Sequence, residues 1–146
     1  MASILIVDDD PTIQLIAGEL LKAEGHDIVH AGDGVEALKA LVAIPADLVV
    51  LDMLMPNMDG LETILAMRKT HPRVKILAIS SGGPMGPQDL LRTAKLFGAD
   101  ETLVKPLVFS TFGATVERLL SQPDRVDDPA ASHGQAASNR SAGKKA

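Results

Sequence analysis

Five short runs of aliphatic residues, each separated from the next by a helix-like segment, constrain the fold of this chain more than any other feature. The runs are "SILIV" (3–7), "HDIVHA" (26–31), "DLVVL" (47–51), "KILAIS" (75–80) and "ETLV" (101–104). Runs that are almost continuously apolar are typical of strands covered on both faces of a parallel sheet. Because strand and helix alternate five times, the sequence predicts an α/β domain with helices on both faces of the sheet.

The segments between these runs carry helix start and stop signals. Asp10 and Pro11 form a predicted N-cap and first helical residue, and Gly25 follows the end of that helix. Asp33 and Asp59 each precede a glutamate by three residues, so each predicts a capping box at the start of a helix.

The last two helices and a change of composition define the end of the predicted domain. A fourth helix is bounded by Gly86-Pro87 and Gly98, and a fifth covers 109–120. The apolar stripe of this fifth helix consists of Phe112, Val116, Leu119 and Leu120. Residues 121–146 are rich in Ala, Ser, Pro and Gly with one large aliphatic residue, so we predict a domain over 1–120 and a disordered tail.

Composition restricts the kind of core and of metal site. Hydrophobic residues make up 46% of the chain, but there is no Trp or Tyr and there are only three Phe, so the predicted core is aliphatic. The absence of Cys excludes disulfides and thiolate zinc sites. His26, His30 and His71 have no metal-ligand spacing and are interpreted as ordinary surface or strand-end residues.

Charge and hydropathy restrict the partners and the compartment. A net charge of −5 with so few aromatic residues argues against direct nucleic-acid binding. The first residues do not have the pattern of a signal peptide, and no apolar run approaches the roughly 20 residues that a membrane span needs. The sequence therefore predicts a cytoplasmic protein that does not insert into a membrane.

Polar residues follow the predicted strands at their carboxyl ends. They are Asp8, Asp9 and Asp10 after the first strand, Asp52 after the third, Ser80 and Ser81 at the fourth, and Lys105 after the fifth. These ends share one edge of a parallel sheet, where ligands bind. Asp10 is explained as a cap, but the other carboxylates repel one another unless positive charge neutralises them. Lys105 supplies one such charge, and the oxygen ligands predict Mg²⁺ as a second source.

The motifs "ILIVDDDP", "LDMLMPNMDG", "ILAISS" and "TLVKP", in this order and spacing, resemble the receiver domain of bacterial two-component response regulators. The resemblance covers residues 3–120. It implies a doubly wound, flavodoxin-like (βα)5 fold, with a five-stranded parallel sheet in the order 2-1-3-4-5. It also implies a stand-alone receiver of the chemotaxis type, because no output domain is recognisable after the motifs.

The resemblance assigns roles to the acidic residues. Asp52 would be the phosphoacceptor, which takes a phosphoryl group from the phosphohistidine of a histidine kinase and becomes an acyl phosphate. Asp9 would coordinate Mg²⁺ directly, Asp8 would bind it through water or as a second ligand, and Asp52 would complete the carboxylate ligands. The backbone carbonyl of Leu54 would also face the metal. The protein would catalyse only its own phosphorylation and dephosphorylation, and would not be an enzyme in the ordinary sense.

The resemblance also assigns the phosphoryl-binding and switch residues. Lys105 would pair with one phosphoryl oxygen, and Ser80 would hydrogen-bond another. The peptide bond from Lys105 to Pro106 would be cis. Ser80 would then bias the surface formed by helix four, strand five and helix five. Many family members have an aromatic residue three positions before the lysine, where this chain has Thr102. We therefore predict that the Gly- and Pro-rich segment 80–87 carries the conformational change.

The implied partners are a sensor histidine kinase or phosphotransfer protein and an unidentified downstream protein. Candidate kinase-specificity residues on the first helix are Ile13, Gln14, Ala17 and Leu21. Leu54 and Gly82 would flank the path of the water that removes the phosphoryl group.

The same residues allow three other interpretations. A phosphohydrolase would use Asp8 as nucleophile and Asp10 as general acid, but Pro11 makes Asp10 a cap and the Asp52 loop stays unexplained. A flavin-binding protein fits the fold class, but the carboxylates after the first strand would repel a flavin phosphate. A binding module that works without phosphorylation, on a receiver scaffold, is the remaining alternative.

Overall fold

The computed structural model describes residues 1–81 and 86–123, which form one five-stranded parallel sheet flanked by helices. The strands are β1 (Ser3–Val7), β2 (Asp27–Ala31), β3 (Leu48–Asp52), β4 (Lys75–Ser80) and β5 (Glu101–Val104). The helices are α1 (Pro11–Ala23), α2 (Gly34–Ala43), α3 (Gly60–Thr70), α4 (Gly86–Phe97) and α5 (Phe109–Ser121). The strand order is β2-β1-β3-β4-β5, so the predicted fold is confirmed.

The helices cover both faces of the sheet because alternate strand residues point to opposite sides. On one face, Leu5 and Val7 of β1 pack with the buried side chains of α2, α3 and α4. On the other face, Ile4 and Ile6 pack with α1 and α5, where Phe112 is fully buried. Within the described residues, none of the helices is long and apolar enough to cross a bilayer.

Burial differs between the central and the edge strands. β3 and β4 are buried along their whole length, and β1 is buried from its second residue. β2 and β5 are only partly covered, so the prediction that all five runs are enclosed was wrong for these two. The physical reason is the topology, because these strands lie at the two edges of the sheet. The second and third strands also begin one residue later than predicted.

The helix caps follow the sequence signals with one exception. Asp10 accepts a hydrogen bond from Thr12 N–H at 2.9 Å, and Asp59 forms the complete capping box of α3. Asp33 accepts from Glu36 N–H at 2.9 Å, but the Glu36 carboxylate accepts from Gly32 N–H. The second half of this predicted box was wrong, because the Glu36 side chain reaches the N–H one residue before the cap.

Arg68 on α3 ties the end of α4 to the sheet. Its Nε and Nη2 donate to Gly98 O at 3.0 and 2.8 Å, and its Nη1 donates to Val74 O at 2.7 Å. The Asp100 carboxylate, which accepts from Ile76 N–H, lies 3.2 Å from Arg68 Nη2. The carboxyl end of α4 is therefore held by a charged network that also involves the start of β4.

Lys75 is buried at the start of β4, where it caps α5. Its ammonium donates to Leu119 O at 2.6 Å and to Gln122 O. We expect Lys75→Met to lower the free energy of unfolding by about 1.5 kcal/mol, because the last carbonyls of α5 lose a charged donor. Urea unfolding measures this change. Lys95→Met on the exposed side of α4 is the control, and equal losses in the two variants would contradict the capping role.

Candidate functional site

Three carboxylates from distant parts of the chain meet at the carboxyl edge of the sheet. Val7 of β1 pairs with Leu51 of β3, so the residues that follow them, Asp8 and Asp52, are neighbours. One oxygen of Asp8, one of Asp9 and one of Asp52 lie within 4.8 Å of one another. Asp8 and Asp52 are buried, whereas Asp9 is exposed.

Lys105 follows β5 and completes the cluster. Its Nζ lies 2.8 Å from Asp8 Oδ2 and 3.6 Å from Asp52 Oδ1, and its peptide bond to Pro106 is cis, as predicted. Burial alone would lower the pKa of Lys105, but the adjacent carboxylates of Asp8 and Asp52 outweigh it and the pKa is raised. Lys105 is therefore a cation throughout the physiological pH range.

Asp52 is a carboxylate in an unfavourable electrostatic position. The pKa of Asp52 is raised from 3.8 to about 6, chiefly by burial, and the negative charges of Asp8 and Asp9 act in the same direction. The Lys105 ammonium and the Leu54 N–H, which lies 3.4 Å from Asp52 Oδ1, oppose this rise. Asp52 is mostly ionised at neutral pH, but its charge is poorly stabilised, so an added cation would be favourable.

The loop after β3 turns back tightly on itself. Gly60 N–H donates to Met53 O at 3.1 Å, and a Cβ at Gly60 would lie 2.6 Å from Met53 Cα, so the close approach requires glycine. Leu54 is 41% exposed at the mouth of the site. Asn57 adopts a positive φ of 67° and its Nδ2 donates to Asp33 Oδ2 at 2.6 Å. Sequence reasoning missed this contact, although Asn in a turn is a known signal for that backbone conformation.

The two predicted switch residues lie on neighbouring strands. Ser80 is buried at the end of β4, and its carbonyl accepts from Lys105 N–H at 2.9 Å. Thr102 pairs with Ala78 in the middle of the β4–β5 ladder and is partly buried. Gly82 and the central part of the segment 80–87 lie outside the described residues, so the predictions made for them stay predictions.

The predicted specificity residues on α1 need correction. Ala17 and Leu21 are buried against the sheet and cannot contact a partner from this position. Gln14 points inward, because its Nε2 donates to Asp8 O at 2.6 Å and to Ala31 O at 3.1 Å. Among the large apolar residues of α1, the helix instead exposes Leu15, at 63%, and Ile16. The error arose because the apolar stripe of an amphipathic helix faces the core.

The carboxylate cluster fits a hard divalent cation. Asp8 Oδ2 is buried and accepts no hydrogen bond of good geometry within the described residues, although the Lys105 ammonium lies beside it. When all three acids are ionised, one ammonium leaves negative charge in excess. Magnesium takes a small number of carboxylate oxygens and keeps several waters, which suits a cluster with one exposed member at the rim of the sheet.

A second group of potential ligands, Glu24, His26 and Glu117, lies at the opposite edge of the sheet. Ala2 N–H donates to His26 Nδ1 at 3.1 Å, so the ring proton sits on Nε2 and faces Glu117 Oε2 at 2.7 Å. The nitrogen nearest the carboxylates is therefore a donor, and the group links the start of the chain to α5. His26 is buried directly before β2, so it is a strand-end and not a surface histidine.

Comparison with known proteins agrees with this geometry. The chemotaxis protein CheY4 of Vibrio cholerae superposes with a TM-score of 0.74 and 30% identity, covering 82% of this chain and 98% of that one. The sequence model of the response regulator receiver domain matches residues 4–117. The chain therefore belongs to the response regulator receiver domain family.

Some relatives are much longer than this chain, and others are covered over almost their whole length. Response regulator MprA of Mycobacterium ulcerans is 35% identical over 129 residues, which are 88% of this chain and 54% of MprA. Sporulation initiation phosphotransferase F of Bacillus subtilis is 30% identical, with 80% of this chain and 92% of that protein covered. The chain thus spans about half the length of MprA and of several other curated relatives.

Proposed function

We propose that this protein is a single-domain response regulator that accepts a phosphoryl group on Asp52. The observation that carries the proposal is the buried Asp52 carboxylate, surrounded by Asp8, Asp9 and the Lys105 ammonium. Phosphoryl transfer needs a nucleophile, acidic oxygens that can hold a metal cation, and a fixed positive charge. The Bacillus subtilis relative, which is named a phosphotransferase and matches over most of its length, supports a role in a phosphorelay.

The transfer needs no general base from the protein. An oxygen of the ionised Asp52 carboxylate forms a bond to phosphorus, while the bond from phosphorus to the histidine nitrogen of the donor breaks. The electron pair of that bond stays on the imidazole, and Asp52 becomes an acyl phosphate. Lys105, held by Asp8 at 2.8 Å, neutralises a phosphoryl oxygen as a fixed charge, and the Ser80 hydroxyl hydrogen-bonds another.

Mg²⁺ would be held by Asp8, Asp9, Asp52 and the carbonyl of Leu54. When bound, it supplies charge neutralisation for the carboxylates and for the incoming phosphoryl oxygens. The chain's own contribution is to hold these oxygens at one edge of the sheet and to keep Asp52 and Asp8 shielded from water. The protein turns over only its own phosphoryl group, so it is a signalling protein and not an enzyme that acts on a separate substrate.

The output is proposed to be a change in the surface of α4, β5 and α5, which binds a downstream protein in the cytoplasm. The signal is proposed to start at Ser80, which pairs with Val104 at the end of the β4–β5 ladder, and to be carried by the segment 80–87 that leads to α4. A histidine kinase or phosphotransfer protein supplies the phosphoryl group. Leu15, exposed on α1, is a better candidate for contact with that donor than the buried Ala17.

Incubation with acetyl phosphate and MgCl₂, followed by intact mass spectrometry, tests the proposal. We expect the mass to rise by one phosphoryl group in the unmodified protein and to stay unchanged in Asp52→Asn, because the amide cannot act as the nucleophile. EDTA is expected to suppress the gain. No gain in the unmodified protein would instead favour the alternative, a binding module that works without phosphorylation on the same scaffold.

A further inference from the structure

The loop between β3 and α3 has two hydrogen bonds, within the described residues, that join residues 54–58 to other parts of the fold. One is local, from Leu54 N–H to Asp52 at the end of β3 at 3.4 Å, and the other runs from Asn57 Nδ2 to Asp33 Oδ2 at 2.6 Å. Met58 N–H donates to Pro56 O inside the loop, and Met55 packs against the hydrophobic core. The polar contact between the middle of the loop and the start of α2 therefore depends on one side-chain pair.

The backbone conformation at Asn57 restricts which residues can occupy this position and make the hydrogen bond to Asp33. Its φ of 67° lies in the left-handed region, which Asn and Gly adopt far more readily than other residues. Glycine at this position would keep the turn and lose the amide, so the hydrogen bond and the turn can be separated by mutation. Asparagine supplies the left-handed backbone and the side-chain hydrogen bond together, so its side chain does more than permit the turn.

The start of α2 supports the same loop by direct contact. A Cβ at Gly34 would lie 2.1 Å from the Thr63 side-chain Oγ1 and 2.9 Å from Met58 O, so the start of α2 packs against α3 and the loop closely enough to require glycine. Asp33 uses its two oxygens for two purposes, Oδ1 to cap α2 through Glu36 N–H and Oδ2 to hold Asn57. The cap fixes the position of the oxygen that Asn57 reaches.

We propose that Asn57 and Asp33 are positioning residues for the phosphoacceptor site, which act by holding the Leu54 carbonyl beside Asp52. This inference rests on the proposed function. A carbonyl ligand must stay within a few tenths of an ångström of its position for a small octahedral cation. The loop ends are fixed by β3 and by the cap of α3, but Leu54 lies between them, three residues before Asn57. Neither residue touches the reacting atoms.

The first test compares Asn57→Gly with the unmodified protein, using MgCl₂ alone as the ligand in titration calorimetry. We expect the affinity for Mg²⁺ to fall about tenfold, which is the usual effect of removing a group that orients a ligand. In metal-free protein, amide exchange at residues 53–58 is expected to become faster, whereas exchange in β3 should not change. Far-UV circular dichroism shows whether the variant is folded.

The second test is rescue by exchange of the two side chains. Asn57→Asp places a carboxylate against Asp33 and is expected to weaken Mg²⁺ binding and to speed exchange in the loop. The double variant Asp33→Asn/Asn57→Asp restores one donor and one acceptor, keeps a good N-cap on α2 and leaves the net charge of the pair unchanged. We expect it to recover most of the affinity for Mg²⁺ and the slow exchange.

The outcomes separate the positioning role from the proposed function. Unchanged Mg²⁺ affinity in Asn57→Gly, or faster exchange without any loss of affinity, overturns the positioning role. A double variant that binds Mg²⁺ no better than Asn57→Asp also overturns it. If the unmodified protein takes up no phosphoryl group while the Mg²⁺ and exchange results hold, the proposed function fails and the positioning of the metal site stands.

Discussion

The Asp9→Asn variant is expected to bind Mg²⁺ about 30-fold more weakly than the unmodified protein, a loss of about 2 kcal/mol. Asp9 is the exposed member of the three-carboxylate cluster, so the substitution removes a charge without leaving an unpaired group in the core. The amide keeps an oxygen of similar position but lacks the charge that a hard cation prefers. Calorimetric titration with MgCl₂ at neutral pH measures the affinity.

The adjacent Asp10 provides a matched control for this experiment. Its carboxylate accepts from Thr12 N–H at 2.9 Å as the N-cap of α1, and Asn caps a helix about as well as Asp. Asp10→Asn therefore removes the same charge one residue away, and we expect it to weaken Mg²⁺ binding by only about twofold through the long-range field. If Asp10→Asn and Asp9→Asn lose the same affinity, the cluster attracts the cation only by its total charge.

In metal-free protein, Asp52→Asn is expected to be more stable than the unmodified protein at pH 8 and equally stable at pH 4. The pKa of Asp52 rises from 3.8 to about 6 on folding, so the folded state holds the proton more tightly than the unfolded state. The stability of the unmodified protein therefore falls as pH rises from about 4 to about 6, and the whole penalty is present above that range. A neutral side chain does not have this penalty.

The size of the effect follows from the shift in pKa. A rise from 3.8 to about 6 corresponds to about 3 kcal/mol, and screening by water at the open side of the site reduces our expectation to about 2 kcal/mol. Urea unfolding in EDTA at several pH values measures it. Asp27→Asn, on the exposed start of β2, is a surface control with an expected change within about 0.5 kcal/mol. A stability gain in Asp52→Asn that does not depend on pH would contradict this electrostatic origin.

The sequence predicts the elements of this fold closely because burial inside the domain gives its strands nearly continuous aliphatic runs. β1, β4 and β5 have the predicted bounds, and β2 and β3 begin one residue later than predicted. The aliphatic runs cannot show which strand lies at an edge, and β2 and β5 were expected to be enclosed for that reason. The strand order came from the resemblance to receiver domains and not from the runs themselves.

The candidate site could likewise be predicted only in part. That Asp8, Asp52 and Lys105 meet could be predicted, because each lies at or just after the carboxyl end of a strand in a parallel sheet, and these ends share one edge. The link from Asn57 to Asp33 could not be predicted, because it joins the loops after β2 and β3 and depends on which side chain points across the gap. Patterns in sequence locate backbone elements well, but contacts between loops are decided by tertiary packing.

The anchoring of α4 by Arg68 determines how that helix can move. Two guanidinium nitrogens hold Gly98 O at the carboxyl end, far from the edge that carries Asp52. Gly86, at the opposite end of the helix, is the end nearer in sequence to Ser80. If the proposed switch begins at Ser80, we expect α4 to change its tilt about the end held by Arg68, and a partner bound to α4 would detect that tilt and not a translation of the whole helix.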